Sequence, residues 1–196
     1  MPNLTTVRAF VALPLPEATL RVIGKLQQEL ATALPGIRWV KPETIHLTLA
    51  FLGDIAEDSL EKLGTSMLSI GDLQPPVTAN FSGVGAFPSR SRPRVVWLGL
   101  DGDNTLRRLH EALKAELNIL QLPIDERPFV PHLTLGRCRK PFPGTGPILE
   151  SFSDRSCGSA QLDKLVLYES RLGSPGALHL PRYTVPLTGP HPKNDL

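Results

Sequence analysis

The tetrapeptide His46-Leu47-Thr48-Leu49 returns as His132-Leu133-Thr134-Leu135, 86 residues further along a chain of 196. Histidine is scarce in this sequence, five in all, so a repeat containing it carries more weight than one built from leucine alone. Both copies fall in runs that read as strands, Ile45 to Leu52 and Val130 to Gly136. Side chains in a strand alternate between faces. His46 and Thr48 therefore share one face, with Leu47, Leu49 and Phe51 on the other. His132 and Thr134 share a face in the same way, opposite Leu133 and Leu135. The leucines can bury against helices; the polar pairs must be solvated, hydrogen-bonded or functional.

The flanking pattern is duplicated as well. In the first half Thr6 to Leu13 reads as a strand. A helix opens at Pro16 with Val22, Leu26, Leu30 and Ala33 at helical spacing, ended by Pro35-Gly36. Ile37 to Val40 reads as a short strand. The Ile45 to Leu52 strand is closed by Gly53-Asp54, and a helix over Glu57 to Ile70 comes next. In the second half Val77 to Val84 and Val95 to Leu100 read as strands, with Gly83-Val84-Gly85 as a bend. Asp103 or Asn104 can cap a helix striped by Leu106, Leu109, Leu113, Leu117 and Leu120, which Pro123 stops. Residues 139–160, rich in Gly, Pro and Ser, read as a long loop. Leu162 to Glu169 and Tyr183 to Leu187 read as the last strands. Strands and helices alternate without the regular spacing of a doubly wound sheet, so the fold class is α+β.

Composition excludes several classes. Hydrophobic residues are 41% and charged residues 20%, which rules out a mostly disordered chain, a coiled coil or a collagen-like repeat. The longest apolar stretch, Ala9 to Leu15, is too short to span a bilayer and is broken by Pro14. No basic segment followed by an apolar core opens the chain, so a cytoplasmic protein without membrane attachment is expected. Cys138 and Cys157 have neither metal-ligand nor disulfide spacing and read as free thiols. Net charge is +2, so any anionic ligand must be met by local clusters: Arg90, Arg92 and Arg94, or Arg137, Arg139 and Lys140.

Two histidines with hydroxyl neighbours suit phosphodiester chemistry. Their ordinary pKa near 6.5 allows one to be neutral and the other protonated near pH 7. The neutral ring takes a proton from the attacking hydroxyl or water, and the charged ring gives one to the leaving oxygen. Thr48 and Thr134 can donate hydrogen bonds to phosphate oxygens. No cofactor or metal is called for by this scheme.

The longer segments carry a resemblance. Trp39-Val40-Lys41-Pro42-Glu43-Thr44-Ile45-His46-Leu47-Thr48-Leu49-Ala50-Phe51-Leu52-Gly53 and Phe129-Val130-Pro131-His132-Leu133-Thr134-Leu135-Gly136-Arg137 resemble the two signatures of the 2H phosphoesterases. The nearest branch is the RNA 2',3'-cyclic phosphodiesterases, also called 2'-5' RNA ligases. Arg8 to Leu13, Phe87-Pro88 and Arg94 to Gly99 also fit, and the match runs from about residue 6 to 187. The resemblance implies a bilobal fold over residues 1–188. Its two pseudo-two-fold related lobes of antiparallel sheet, with flanking helices, would enclose a central cleft. Residues 189–196 are expected to form a disordered tail. The resemblance implies hydrolysis of RNA 2',3'-cyclic phosphate ends to 2'-phosphates; no protein partner is evident in the sequence, and a monomer is expected. His46 would protonate the leaving O3', His132 would activate water, Thr48 and Thr134 would hold the phosphate, and Arg137 would add charge.

Strict alternation puts Arg137 opposite His132, so it reaches the cleft only if the strand twists or ends at Gly136. The family's closing signature of serine, glycine and tyrosine is matched by Ser170 and Gly176, but His179 stands where tyrosine is expected. His179 and His191 otherwise read as loop and tail residues, His110 as half-exposed, Asp54 and Asp101 as turn formers, and Trp39 and Phe10 as core. Three alternatives remain open from sequence: 2'-5' ligation at the same site, a related enzyme acting on a small cyclic nucleotide, and an RNA-binding module without catalysis.

Overall fold

The computed structural model describes residues 5–102, 104–140, 144–173 and 177–191. The alternating Val7, Ala9, Val11 and Leu13 bury one face of β1 (Thr6–Pro14). Pro16 is the N-cap of α1 (Glu17–Ala33), whose buried stripe is Ile23, Leu26 and Leu30. Val22, expected in that stripe, points outward and is 44% exposed. β2 (Ile37–Trp39) and a 3-10 turn at Pro42–Thr44 lead into β3 (His46–Ala56). α2 (Glu57–Leu73) buries Leu60, Leu63, Met67 and Ile70 as their spacing predicts. β4 (Val77–Phe87), β5 (Val95–Gly102), α3 (Asn104–Ile119) and β6 (His132–Cys138) come next. The chain closes with α4 (Thr145–Glu150), β7 (Ser156–Leu162), β8 (Lys164–Leu172) and β9 (Ala177–Pro186).

The strands form one antiparallel sheet in the order β7-β4-β5-β6-β3-β1-β8-β9, with β2 beside β6. The order is symmetric about the β6–β3 seam, and those central strands carry the two repeated tetrapeptides. β3 is paired along its length with β1, and β6 with β5, but across the seam only Leu47 and Leu133 pair. The sheet is thus two four-stranded halves whose central strands share one ladder pair, with β2 as a ninth strand that crosses to β6 of the second half. α1 follows a strand of one half and packs on β7 of the other, while α2 packs on β9 and on α3.

Several sequence expectations are corrected. Gly53-Asp54 does not close its strand. Gly53 adopts φ +66°, Leu52 is bulged out, and β3 runs on to Ala56 with Asp54 opposite Arg8. Asp101, too, lies within a strand, opposite Asn80. Gly83, at φ +77°, sits at a bulge inside β4, so the expected bend is a local feature of a continuous strand. α3 ends ahead of Pro123: Gln121 is left-handed, and Leu122 N–H bonds back to Leu117 O, a Schellman-type stop. The loop expected over 139–160 holds α4 and β7. The β7 sequence, Ser-Cys-Gly-Ser-Ala-Gln-Leu, has little strand propensity and is held by its ladder to β4. β8 and β9 are longer than expected and place His179 in a strand, opposite Ser170. Thr188 and Gly189 bond to carbonyls of Gly71 and Gln74, so the tail begins tied to α2. Asp103, Gly176 and residues 192–196 lie outside the described residues, as do the cap, the signature glycine and the tail end assigned to them. Cys138 and Cys157 are free and buried.

One buried side chain joins α1 to the seam. The Gln27 amide donates to Val40 O (2.8 Å) and to Leu135 O (2.9 Å). Gln27→Leu keeps the volume and removes both bonds. It is expected to lower unfolding free energy by about 1–3 kcal/mol in urea denaturation, the cost of buried carbonyls losing donors.

Candidate active site

His46 and His132 each begin their strand, and each ring is held by the same local contact. His46 Nδ1 lies 2.8 Å from Thr44 O, and His132 Nδ1 lies 2.8 Å from Val130 O. A carbonyl oxygen only accepts, so in both rings Nδ1 carries the hydrogen and Nε2 is left for chemistry. Extended residues before each histidine turn the carbonyl two positions back towards the ring. Pro131 imposes that conformation on Val130.

The seam sets how the motifs meet. In an antiparallel register through Leu47–Leu133, His46 stands beside Thr134 and Thr48 beside His132. The two His/Thr pairs are therefore neighbours on adjacent strands at the seam between the halves. Each histidine has the other motif's threonine next to it. Leu47, Leu49, Leu133 and Leu135 are buried on the opposite face, as the alternation requires.

Each motif ends in a bulge at its last leucine. Thr48 pairs with Ala12 and Ala50 with Val11, so Leu49 has no partner; Thr134 pairs with Trp97 and Gly136 with Val96, so Leu135 has none. An extra residue reverses the alternation beyond it. Phe51 consequently leaves the leucine face and is 49% exposed. Arg137, five residues after its histidine as Phe51 is after His46, comes to the His132 side while the strand continues to Cys138.

A cavity of about 970 Å³ opens here, lined by Thr48 and Phe51 of β3, His132, Thr134 and Arg137 of β6, and Arg94 before β5. The Arg8 guanidinium lies over the Phe51 ring, 4.8 Å from its centre. The first arginine cluster divides. Arg94 faces this cavity, Arg90 pairs with Glu150 at 2.9 Å, and Arg92 stays on the exposed turn. Of the second cluster Arg137 lines the cavity, while Arg139 and Lys140 are exposed. Among the described residues no His, Cys, Asp and Glu group suited to a metal occurs, and no helix is long and apolar enough to cross a membrane.

His46 is not among the residues that line this cavity; it sits in an aromatic nest. Phe10 stacks on it at 4.9 Å, His179 meets it edge-on at 5.5 Å, and Tyr168 lies beyond at 6.1 Å. Burial pushes its pKa down to about 4; the Thr44 carbonyl opposes this, and a charge on His179 adds to it. Burial lowers His179 as well. Its Nδ1 is buried without a hydrogen-bond partner among the described residues. The structure thus moves His179 from an expected loop to the side of His46. Its place at the signature tyrosine position is the sequence signal for that role. Phe10 is core, as expected, and also a wall of the His46 pocket. Trp39 is partly buried against the core. His110, partly buried, stacks on Phe129 at 4.1 Å in the cavity wall.

Two motifs of one design on symmetric halves of a sheet define a duplicated phosphoesterase, and comparison with known proteins agrees. Residues 13–97 and 98–179 each match the LigT-like phosphoesterase family, and the chain belongs to it. It is 31% identical over 173 residues to a protein of Archaeoglobus fulgidus named RNA 2',3'-cyclic phosphodiesterase, covering 88% of this chain and 96% of that one. A protein of Aquifex aeolicus with the same name is 32% identical over 183 residues, 91% and 94% of the two chains. Among solved structures, a Thermus thermophilus protein superposes with TM-score 0.82 at 28% identity, covering 94% of this chain and all of that one. E. coli LigT complexed with 3'-AMP superposes with TM-score 0.76 at 28% identity, over 94% and 99%.

The depressed pKa of His46 has two measurable consequences. By NMR, the ring should titrate with a midpoint near pH 4; a midpoint at 6 or above would contradict the burial account. Folding also disfavours protonation of a group whose unfolded value is 6.5. Its stabilising contribution is intact above pH 6.5 and is lost as pH falls towards 4, by up to about 3 kcal/mol.

Proposed function

We propose that this protein hydrolyses the 2',3'-cyclic phosphate at an RNA end to a 2'-phosphate, with His46 and His132 as the acid–base pair and no metal. The observation that carries this reading is the mirrored Nδ1–carbonyl contact, which presents two Nε2 atoms of the same tautomer beside two threonine hydroxyls. His132 Nε2 takes a proton from water, the water oxygen bonds to phosphorus, and the P–O3' bond breaks as His46 delivers a proton to O3'. Thr48 and Thr134 donate to the non-bridging oxygens, and Arg137 offsets the charge that accumulates there. Residues 1–188 act together as one bilobal unit in this scheme, supported by the continuous sheet and by α1 bridging its halves.

His46 is neutral near pH 7 in the free protein, because its ring is desolvated. The phosphodiester brings a negative charge into the same low-dielectric pocket and favours the protonated ring. Substrate therefore arms its own acid. The alkaline limb of kcat, which reports the complex, is expected at higher pH than that of kcat/KM, which reports free protein.

The direct test is a short RNA ending in a 2',3'-cyclic phosphate, incubated with EDTA. Wild type is expected to release the 2'-phosphate isomer, and His46→Ala and His132→Ala each to lose about 100-fold or more in kcat. Full activity in either variant, or loss of wild-type turnover on chelation, would refute the mechanism. Arg137→Gln is expected to lower kcat/KM about 10- to 100-fold, the range for one charge-assisted contact.

A further inference from the structure

The cavity extends well past the motif residues. Besides His132 it is lined by Lys114 and Leu117 of α3 and by Ile124 and Phe129 of the segment before β6, which form one wall. Its volume of about 970 Å³ is at the top of the range for small-ligand pockets, more than a cyclic phosphate and its ribose fill.

Charge makes the same point. A cyclic phosphate carries a single negative charge. Lining the cavity are the side chains of Arg94, Lys114 and Arg137, none in an ion pair among the described residues. Asp125 and Arg127, also on the rim, neutralise each other. Burial holds His110 below its ordinary pKa, so it adds no charge near neutral pH. Arg137 is next to the motif threonines; Arg94 and Lys114 come from other elements and are surplus to the reacting group. The His110–Phe129 stack, interplanar angle 7°, gives the same wall a flat ring surface of the kind any nucleobase can stack on.

We propose that this wall seats the phosphodiester and nucleoside immediately 5' to the cyclic phosphate. Arg94 and Lys114 are its charge contacts, and RNA ends of two or more nucleotides are preferred to cyclic mononucleotides. The inference rests on the phosphodiesterase reading and names what selects the substrate within it.

The test compares adenosine 2',3'-cyclic phosphate with the dinucleotide ApA ending in a 2',3'-cyclic phosphate. The readout is the ratio of their kcat/KM values. Wild type is expected to favour the dinucleotide by about tenfold or more, one charge-assisted contact's worth. Lys114→Gln and Arg94→Gln should each pull the ratio towards one, Lys114→Arg should restore it, and added salt should lower it in wild type more than in Lys114→Gln. A wild-type ratio near one would overturn the inference. So would variants that slow both substrates equally, as a purely structural role for these side chains requires. Turnover of neither substrate by wild type would overturn the phosphodiesterase reading itself, and this inference with it.

Discussion

One ladder pair, Leu47 with Leu133, is the point on which the site depends. The two central strands share that ladder pair alone, so its register sets which residues of the two motifs are neighbours. A slip of one residue would turn both histidines into the core and both leucines into the cavity. The leucines prevent it. They are fully buried, and moving them to solvent would cost about 1.5–3 kcal/mol each. Hydrophobic burial on one face thereby positions ionisable groups on the other.

The paired bulges extend this logic. Leu49 and Leu135 each insert one residue and reverse the alternation of the strand beyond them. Phe51 and Arg137 arrive at the cavity by the same device at equivalent positions. The two halves share geometry, but they differ in chemistry: one presents an aromatic ring and the other a cation. The Gln27 amide bonds the carbonyl of the bulged Leu135, so a helix from the first half secures a distortion in the second.

The electrostatics are asymmetric too. His46 is enclosed by Phe10, Tyr168 and His179, and burial removes its charge in the free protein. His132 opens on the large cavity, with Phe87 in a T-shaped contact with its ring at 5.0 Å. Similar backbone settings thus hold two rings in different media.

Much of this is legible in the residues. The period-two pattern around each histidine assigns the His, Leu, Thr and Leu of each motif to their correct faces. The leucine stripe of α3 and the apolar face of α2 lie where their spacing puts them. Legibility stops where long-range contacts overrule local pattern. The β7 strand has no apolar alternation and exists because β4 offers it an edge. Alternation misassigns Phe51 and leaves Arg137 conditional, because a bulge leaves no mark in a hydrophobic pattern. His179 reads as a loop residue, since only its pairing with Ser170 makes it part of a strand. The sequence by itself determined that the His and Thr of each motif share one strand face, because the short-range geometry of a strand is set by residue order. The tertiary structure alone decided which threonine neighbours which histidine, that a third histidine lies beside the first, and that Arg137 reaches the cavity. Those depend on strand register and bulges, and both are settled by partners distant in the chain.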